Sequence, residues 1–171
     1  MRILTDDVKN HVGDVVHVEG WLHKKRLLGG LTFINVRDRR GLVQVVIEDK
    51  DEVEKLRGMQ IGTILSIDGK VVEEPRAPGG AELHKAKLSV LVPVADEPPI
   101  EIDKPLSHKP DNLDTLFDYR VIGLRNLQER AVFEIQATIC KTMRNYFNDH
   151  GFTEIHTPKL LAEPTEGGAG V

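Results

Sequence analysis

Phe33, Asn35 and Arg37 alternate along one stretch of the chain, so in an extended strand they share one face while Thr32, Ile34 and Val36 share the other. An outward ring stacks on a nucleobase for roughly 1–3 kcal/mol. An amide such as that of Gln44 both donates to and accepts from a base edge. Lys24, Lys25 and Arg26 lie a few residues upstream and suit phosphate oxygens. Recognition by stacking and base-edge hydrogen bonds is directed at splayed, single-stranded RNA. Each residue also has a plainer reading. Phe33 fits a strand interior, Trp21 fits packing, Gln44 and Asn35 fit an ordinary solvent face, and the cationic run fits a solvated surface. There is no phosphate-cradling GxxxxGK loop, no Ser/His/Asp grouping and no histidine pair at metal spacing.

The bulk properties narrow the class. The 171 residues are 40% hydrophobic and 29% charged, a soluble composition with room for one domain and part of a second. No apolar run approaches the roughly 18 residues a membrane helix needs, and the first residues carry no signal-peptide pattern. The single cysteine, Cys140, excludes an internal disulfide and a multi-cysteine zinc site, and a reducing cytoplasm is expected. The net charge of −4 argues against a generally basic nucleic-acid binder. Local charge matters more than the total. Lys24, Lys25, Arg26, Arg37, Arg39 and Arg40 oppose only Asp38 between His23 and Arg40.

The elements that must position these residues can be read from the pattern. Residues 15–22, 31–38 and 42–47 read as strands, with 39–41 as the turn of a hairpin joining the last two. A short polar helix is expected from Asp51, as N-cap, to Gly58. Strands are expected at 63–73 and ending at 88–94, joined by the irregular loop Glu74-Pro75-Arg76-Ala77-Pro78-Gly79-Gly80-Ala81. Five strands with a helix between the third and fourth is the order of an all-β OB-fold barrel, which closes its own edges. Residues 1–94 are therefore expected to form the barrel. Residues 95–111, with Pro98, Pro99, Pro105 and Pro110, should form a semi-rigid linker, and 112–171 should begin another domain. There, apolar residues at helical spacing predict a helix from Gln128 to His150 ended by Gly151, followed by a strand at 152–158. That helix's apolar face needs partners the sequence does not supply.

Three stretches resemble the aspartyl/asparaginyl branch of the class II aminoacyl-tRNA synthetases. Gly20 to Gln44 is similar to that branch's anticodon-binding barrel. Leu113 to Arg125 resembles the segment leading into the catalytic domain, the start of an α+β fold. Gly151 to Leu161 resembles motif 1 of that domain, and Thr165-Glu166-Gly167-Gly168 resembles the start of the amino-acid pocket. Together these stretches cover nearly the whole chain in the family's order.

The resemblance implies an aspartate–tRNA ligase that uses ATP and Mg2+, with tRNA as partner and a homodimeric parent enzyme. Phe33 would stack on the middle anticodon base, a uridine, while Gln44 and Arg26 hydrogen-bond it. Lys24, Lys25 and Asn35 would support the same surface. Pro158 would lie at the dimer element, and Glu166 would meet the ammonium of the amino acid. His23 and Pro78 match the relaxed form that charges both aspartate and asparagine tRNAs. Motifs 2 and 3, which carry the family's ATP-gripping arginines, are not in the sequence. These 171 residues alone are therefore expected to bind no cofactor and to form no adenylate. A piece of an asparaginyl enzyme and a free-standing OB-fold tRNA binder remain open as alternatives.

Overall fold

The computed structural model describes residues 2–28, 31–106 and 110–157, the side chains of 110–112 excepted. Two compact units emerge, Met1–Gln128 and Glu129–Val171. None of the helices among the described residues is long and apolar enough to cross a membrane. Pro158 and Glu166 lie outside the described residues.

The first unit is built on a closed five-strand barrel in the order β1-β2-β3-β5-β4. Its strands are β1 (Val15–Leu28), β2 (Leu31–Arg37), β3 (Leu42–Ile47), β4 (Ile64–Glu73) and β5 (Ala81–Val92). All neighbouring pairs are antiparallel except β3–β5, which is parallel. With α1 (Lys50–Arg57) between β3 and β4, this is the OB-fold topology expected from the sequence. The alternation works as anticipated on β2. Ile34 and Val36 are fully buried in the barrel, together with Val43, Val45, Leu65, Ile67 and Leu83, and Leu56 of α1 joins them. Gly20 is required where β1 crosses β2, because a Cβ there would sit 2.5 Å from the carbonyl oxygen of Arg37.

Several boundaries differ from the sequence reading, each for a local reason. β1 runs on to Leu28 through the cationic stretch because a bulge at His23, between Leu22 and Lys24, resets its alternation. β5 begins at Ala81, the last residue assigned to the loop, and ends at Val92 rather than at 94; Lys85, at φ 49°, bulges and hides the period. The cap of α1 is Asp49, whose side chain accepts from the backbone N–H groups of Asp51 (2.9 Å) and Glu52 (3.2 Å), so Asp51 lies inside the helix. Pro110 opens a helix, α2 (Pro110–Asp118), as proline does at a first helical position; the expected linker therefore stops short of it. α3 (Arg120–Gly123) follows. Between β5 and α2 the chain is anchored at Ile100 and Ile102, both buried. Asn126 is also buried, and its amide nitrogen donates to the carbonyl of Lys104 at 2.6 Å.

In the second unit, α4 (Leu127–Asp149) ends as a glycine-terminated helix should. Gly151 takes φ +80°, its N–H donates to the Asn148 carbonyl (3.1 Å), and the N–H of Phe152 donates to that of Phe147 (3.0 Å). The Phe147 and Phe152 rings meet 5.4 Å apart, the hydrophobic contact that accompanies this cap. The strand expected at 152–158 is not formed over its described residues, 152–157. Residues 152–157 are irregular and have no ladder partner among the described residues; Glu154 instead pairs with Arg144 at 2.8 Å.

Candidate nucleic-acid interface

The outer faces of β1, β2 and β3 carry two cross-strand rows. Register places Lys24 opposite Asn35, Asn35 opposite Gln44, and Gln44 beside Glu82 of β5. The adjacent row is Arg26, Phe33 and Val46. Side chains directly opposite in such a sheet lie about 4.5–5.5 Å apart at Cβ, so the two rows make one continuous surface.

Phe33 is half-buried and stands on the outer face, outside the core cluster. The reading that it fills the interior is thereby excluded. Val46 beside it is buried yet also outside the core cluster. The pair forms an apolar floor, with Arg26 exposed at its edge. The polar row is set by Glu82, a buried residue. One carboxylate oxygen accepts from Gln44 Nε2 at 2.7 Å and the other lies 2.7 Å from His84 Nε2. Because Gln44 donates to Glu82 through Nε2, its carbonyl oxygen is turned away from that carboxylate and is available as an acceptor. The surface thus offers a fixed acceptor beside a stacking ring and a cation.

Not every expected residue joins this surface. Lys25, expected to meet phosphate, points to the barrel's mouth. Its ammonium donates to the carbonyls of Leu56 (3.1 Å), Arg57 (3.0 Å) and Met59 (2.7 Å) at the end of α1. Arg37 is buried, with its guanidinium 4.9 Å from the Trp21 ring centroid, at the far end of the same strands. Pro78 sits in the short Pro78–Gly80 turn that packs beside β3. Its loop is closed by hydrogen bonds from Glu74 N to the Gly80 carbonyl (3.1 Å) and from Gly80 N to the Ala77 carbonyl (2.9 Å).

His23 is also buried. It lines a cavity of about 200 Å³ with Ile102, Asp103, Lys104, Asn126 and Gln128, rather than facing open solvent. Its Nδ1 has no hydrogen-bond partner among the described residues. Burial first, then the nearby Arg37 and Lys24 charges, push its pKa below the ordinary value, against the pull of Asp103. The folded chain therefore binds a proton here less readily than the unfolded chain, whose histidine titrates near ~6.5. The sign follows: stability contributed by neutral His23 is present above about pH 6.5 and is lost as pH falls from there towards the folded pKa. Urea unfolding between pH 7.5 and 5 should show that decline. His23→Gln should flatten it, and an equal decline in the variant would rule it out.

Val46 and Glu82 were missed by sequence reasoning. Val46 looks like any other apolar strand residue. Glu82 lies 38 positions from Gln44, joined to it only by the parallel pairing. Among the described residues no group of three or more His, Cys, Asp or Glu side chains could hold a metal ion, so none is assigned to Mg2+.

Comparison with known proteins gives a consistent result over both halves of the chain. Residues 16–93 match the family of OB-fold nucleic acid binding domains, and residues 112–171 match class II tRNA synthetases (D, K and N). A Thermus thermophilus protein named aspartate–tRNA(Asp/Asn) ligase is 38% identical over 100% of this chain and 39% of its own length. An Archaeoglobus fulgidus protein of the same name is 38% identical over 98% of this chain and 40% of its own. Among solved structures, the asparaginyl-tRNA synthetase from Pyrococcus horikoshii, complexed with asparaginyl-adenylate, superposes with a TM-score of 0.81. It is 27% identical, and the match covers 98% of this chain and 39% of that one. The chain thus spans about two fifths of the length of the relatives it matches.

Proposed function

Because the chain belongs to the class II tRNA synthetases of the D, K and N group, we propose that it is the anticodon-reading part of an aspartate–tRNA ligase. The observation that carries this reading is the surface formed by Phe33, Arg26 and Gln44, with Gln44 oriented by Glu82. A uracil offers an N–H donor at N3 between two carbonyl acceptors. Gln44 Oε1 accepts from that N–H, Arg26 donates to a carbonyl, and Phe33 stacks on the ring. A cytosine presents an acceptor at N3, which would set two acceptors against each other. Lys24 contributes charge for the backbone, and Asn35 a further polar group in the same row.

In the whole enzyme, aspartate is activated with ATP, with Mg2+ on its phosphates, and then esterified to the tRNA 3′ end. Glu166 would meet the amino acid's ammonium, and Pro158 would lie in the element that pairs two subunits. A cytoplasmic setting suits both the reaction and the single cysteine. The relatives' names and the residues His23 and Pro78 favour the relaxed form that charges aspartate and asparagine tRNAs alike. His23 would act on that choice from beneath residues 102–105, and Pro78 from beside β3. Charging of both purified tRNAs by the full-length enzyme tests this part, and failure to aspartylate asparagine tRNA would overturn it. The likeness to an asparaginyl enzyme structure keeps asparagine as the second reading for the amino acid.

The barrel's role is tested with anticodon stem-loops that carry uridine or cytidine at the middle position. The uridine form should bind at least about tenfold tighter, since the mismatch leaves polar groups unpaired. Equal affinity for the two would refute base reading by this surface.

A further inference from the structure

Lys25 lies between two residues of the proposed reading surface, Lys24 and Arg26, yet it takes no part in that surface. The reason is in how β1 is held. From Val15 to Trp21 the strand is paired with β4, and at Leu22 the last bonds on that edge run to Thr63 and Gly62 (both 2.8 Å). From Lys24 to Leu28 it pairs with β2 alone among the described strands. This arm carries both Lys24 and Arg26, and an edge held on one side opens more easily than a strand paired on both.

On the other side of the arm the ammonium of Lys25 reaches the carbonyls of Leu56, Arg57 and Met59 at 3.1, 3.0 and 2.7 Å. Three donors meet three acceptors, so the group is saturated. The carbonyls of Leu56 and Arg57 close α1, where the helix dipole also favours a cation, and that of Met59 follows just beyond the cap. The helix itself is fixed. Leu56 is fully buried in the core, and Glu52 accepts from the backbone N–H of Leu88 on β5 at 3.1 Å. Lys25 therefore links the one-edged arm to a helix anchored in the barrel core.

We propose that Lys25 is a positioning residue for RNA recognition. By tying the Lys24–Leu28 arm to the end of α1, it holds Arg26 opposite Phe33, without touching RNA itself. The proposal rests on the anticodon-reading function given above.

The test uses the 171-residue chain with Lys25→Met, Lys25→Arg and Lys24→Met. In the RNA-free protein, Lys25→Met should speed hydrogen exchange of the backbone amides in residues 24–28, while those of β4 stay protected. Unchanged exchange in the arm would overturn the tie whether or not RNA binds. With an anticodon stem-loop, Lys25→Met should weaken binding about tenfold while the slope of log affinity against log salt stays at the parent value. Lys24→Met should lower that slope by about 0.7, as expected for one lost contact to single-stranded phosphate. Lys25→Arg, which keeps a cation able to reach the same carbonyls, should recover most of the affinity. A slope change in Lys25→Met equal to that of Lys24→Met would make Lys25 a phosphate ligand and refute the proposal, as would unaltered affinity. If the parent chain binds no stem-loop at all, the anticodon reading falls while the exchange result still judges the tie.

Discussion

Replacing Asp38 with alanine is expected to cost about 2–4 kcal/mol of folding stability, because hydrogen bonds to a charged group contribute about 1.5–3 kcal/mol and a buried donor left unsatisfied costs about 1–3 kcal/mol. The side chain is buried at the turn between β2 and β3. It accepts from the Thr5 hydroxyl (2.7 Å), the Thr5 backbone N–H (2.8 Å) and the backbone N–H groups of Arg40 (2.7 Å) and Gly41 (3.1 Å). One carboxylate thereby fastens the N-terminal segment to the hairpin that carries the proposed reading face. Removing it strands the two buried donors of Thr5 and two half-buried backbone donors. Urea unfolding of the variant should show the loss; a change below about 1 kcal/mol would mean that the network is dispensable.

The same group makes the barrel acid-sensitive. Burial pushes the Asp38 carboxyl up, but the Thr5 hydroxyl and the backbone donors outweigh it and hold the pKa below its ordinary value. The folded pKa lies under the unfolded value of about 3.9. Its stabilisation is therefore fully present above that value and disappears as pH falls through the folded pKa. Acid unfolding of Asp38→Asn should lack this component and be shallower than that of the parent below about pH 4.

The second large effect is on binding. Phe33→Ala should weaken the anticodon stem-loop complex by roughly 1–3 kcal/mol, which is about 5- to 150-fold. Because Phe33 stands outside the core cluster, the variant should keep the far-ultraviolet circular dichroism of the parent. Phe33→Trp should retain binding, since stacking needs a π-face more than a particular ring. Undiminished affinity in Phe33→Ala would place the bound base elsewhere. A weaker complex accompanied by lost secondary structure would show instead that Phe33 supports the fold.

Much of this architecture is legible in the chain itself. The alternation of Thr32, Ile34 and Val36 against Phe33, Asn35 and Arg37 assigns both faces of β2 correctly, and Arg39-Arg40-Gly41 marks the hairpin. What escapes is whatever breaks a local period or joins distant positions. The bulges at His23 and Lys85 shift alternation by a residue and hide the full lengths of β1 and β5. Asp49 and Asp51 are equally good caps by type, and only the backbone decides between them. Lys25 reads as one more cation of a run until the end of α1 is seen to lie beneath it. Glu82 has no local mark, because its meaning depends on Gln44 being its neighbour across the parallel pair.

That parallel pair has a consequence for how the surface comes into being. β3 and β5 share only two register pairs, Gln44 with Glu82 and Val45 with Leu83, and they close a long loop that contains α1 and β4. Hairpins such as β2–β3 form from near neighbours, whereas a contact this distant must first meet the entropy of closing its loop. The acceptor proposed to read the base is therefore oriented by a contact between distant parts of the chain, not by the hairpin that carries it. During synthesis, a chain on the ribosome that has exposed β1 to β4 already has Phe33 and Arg26 but not a directed Gln44. On the proposed reading of this surface, base selectivity requires β5 to have emerged and docked.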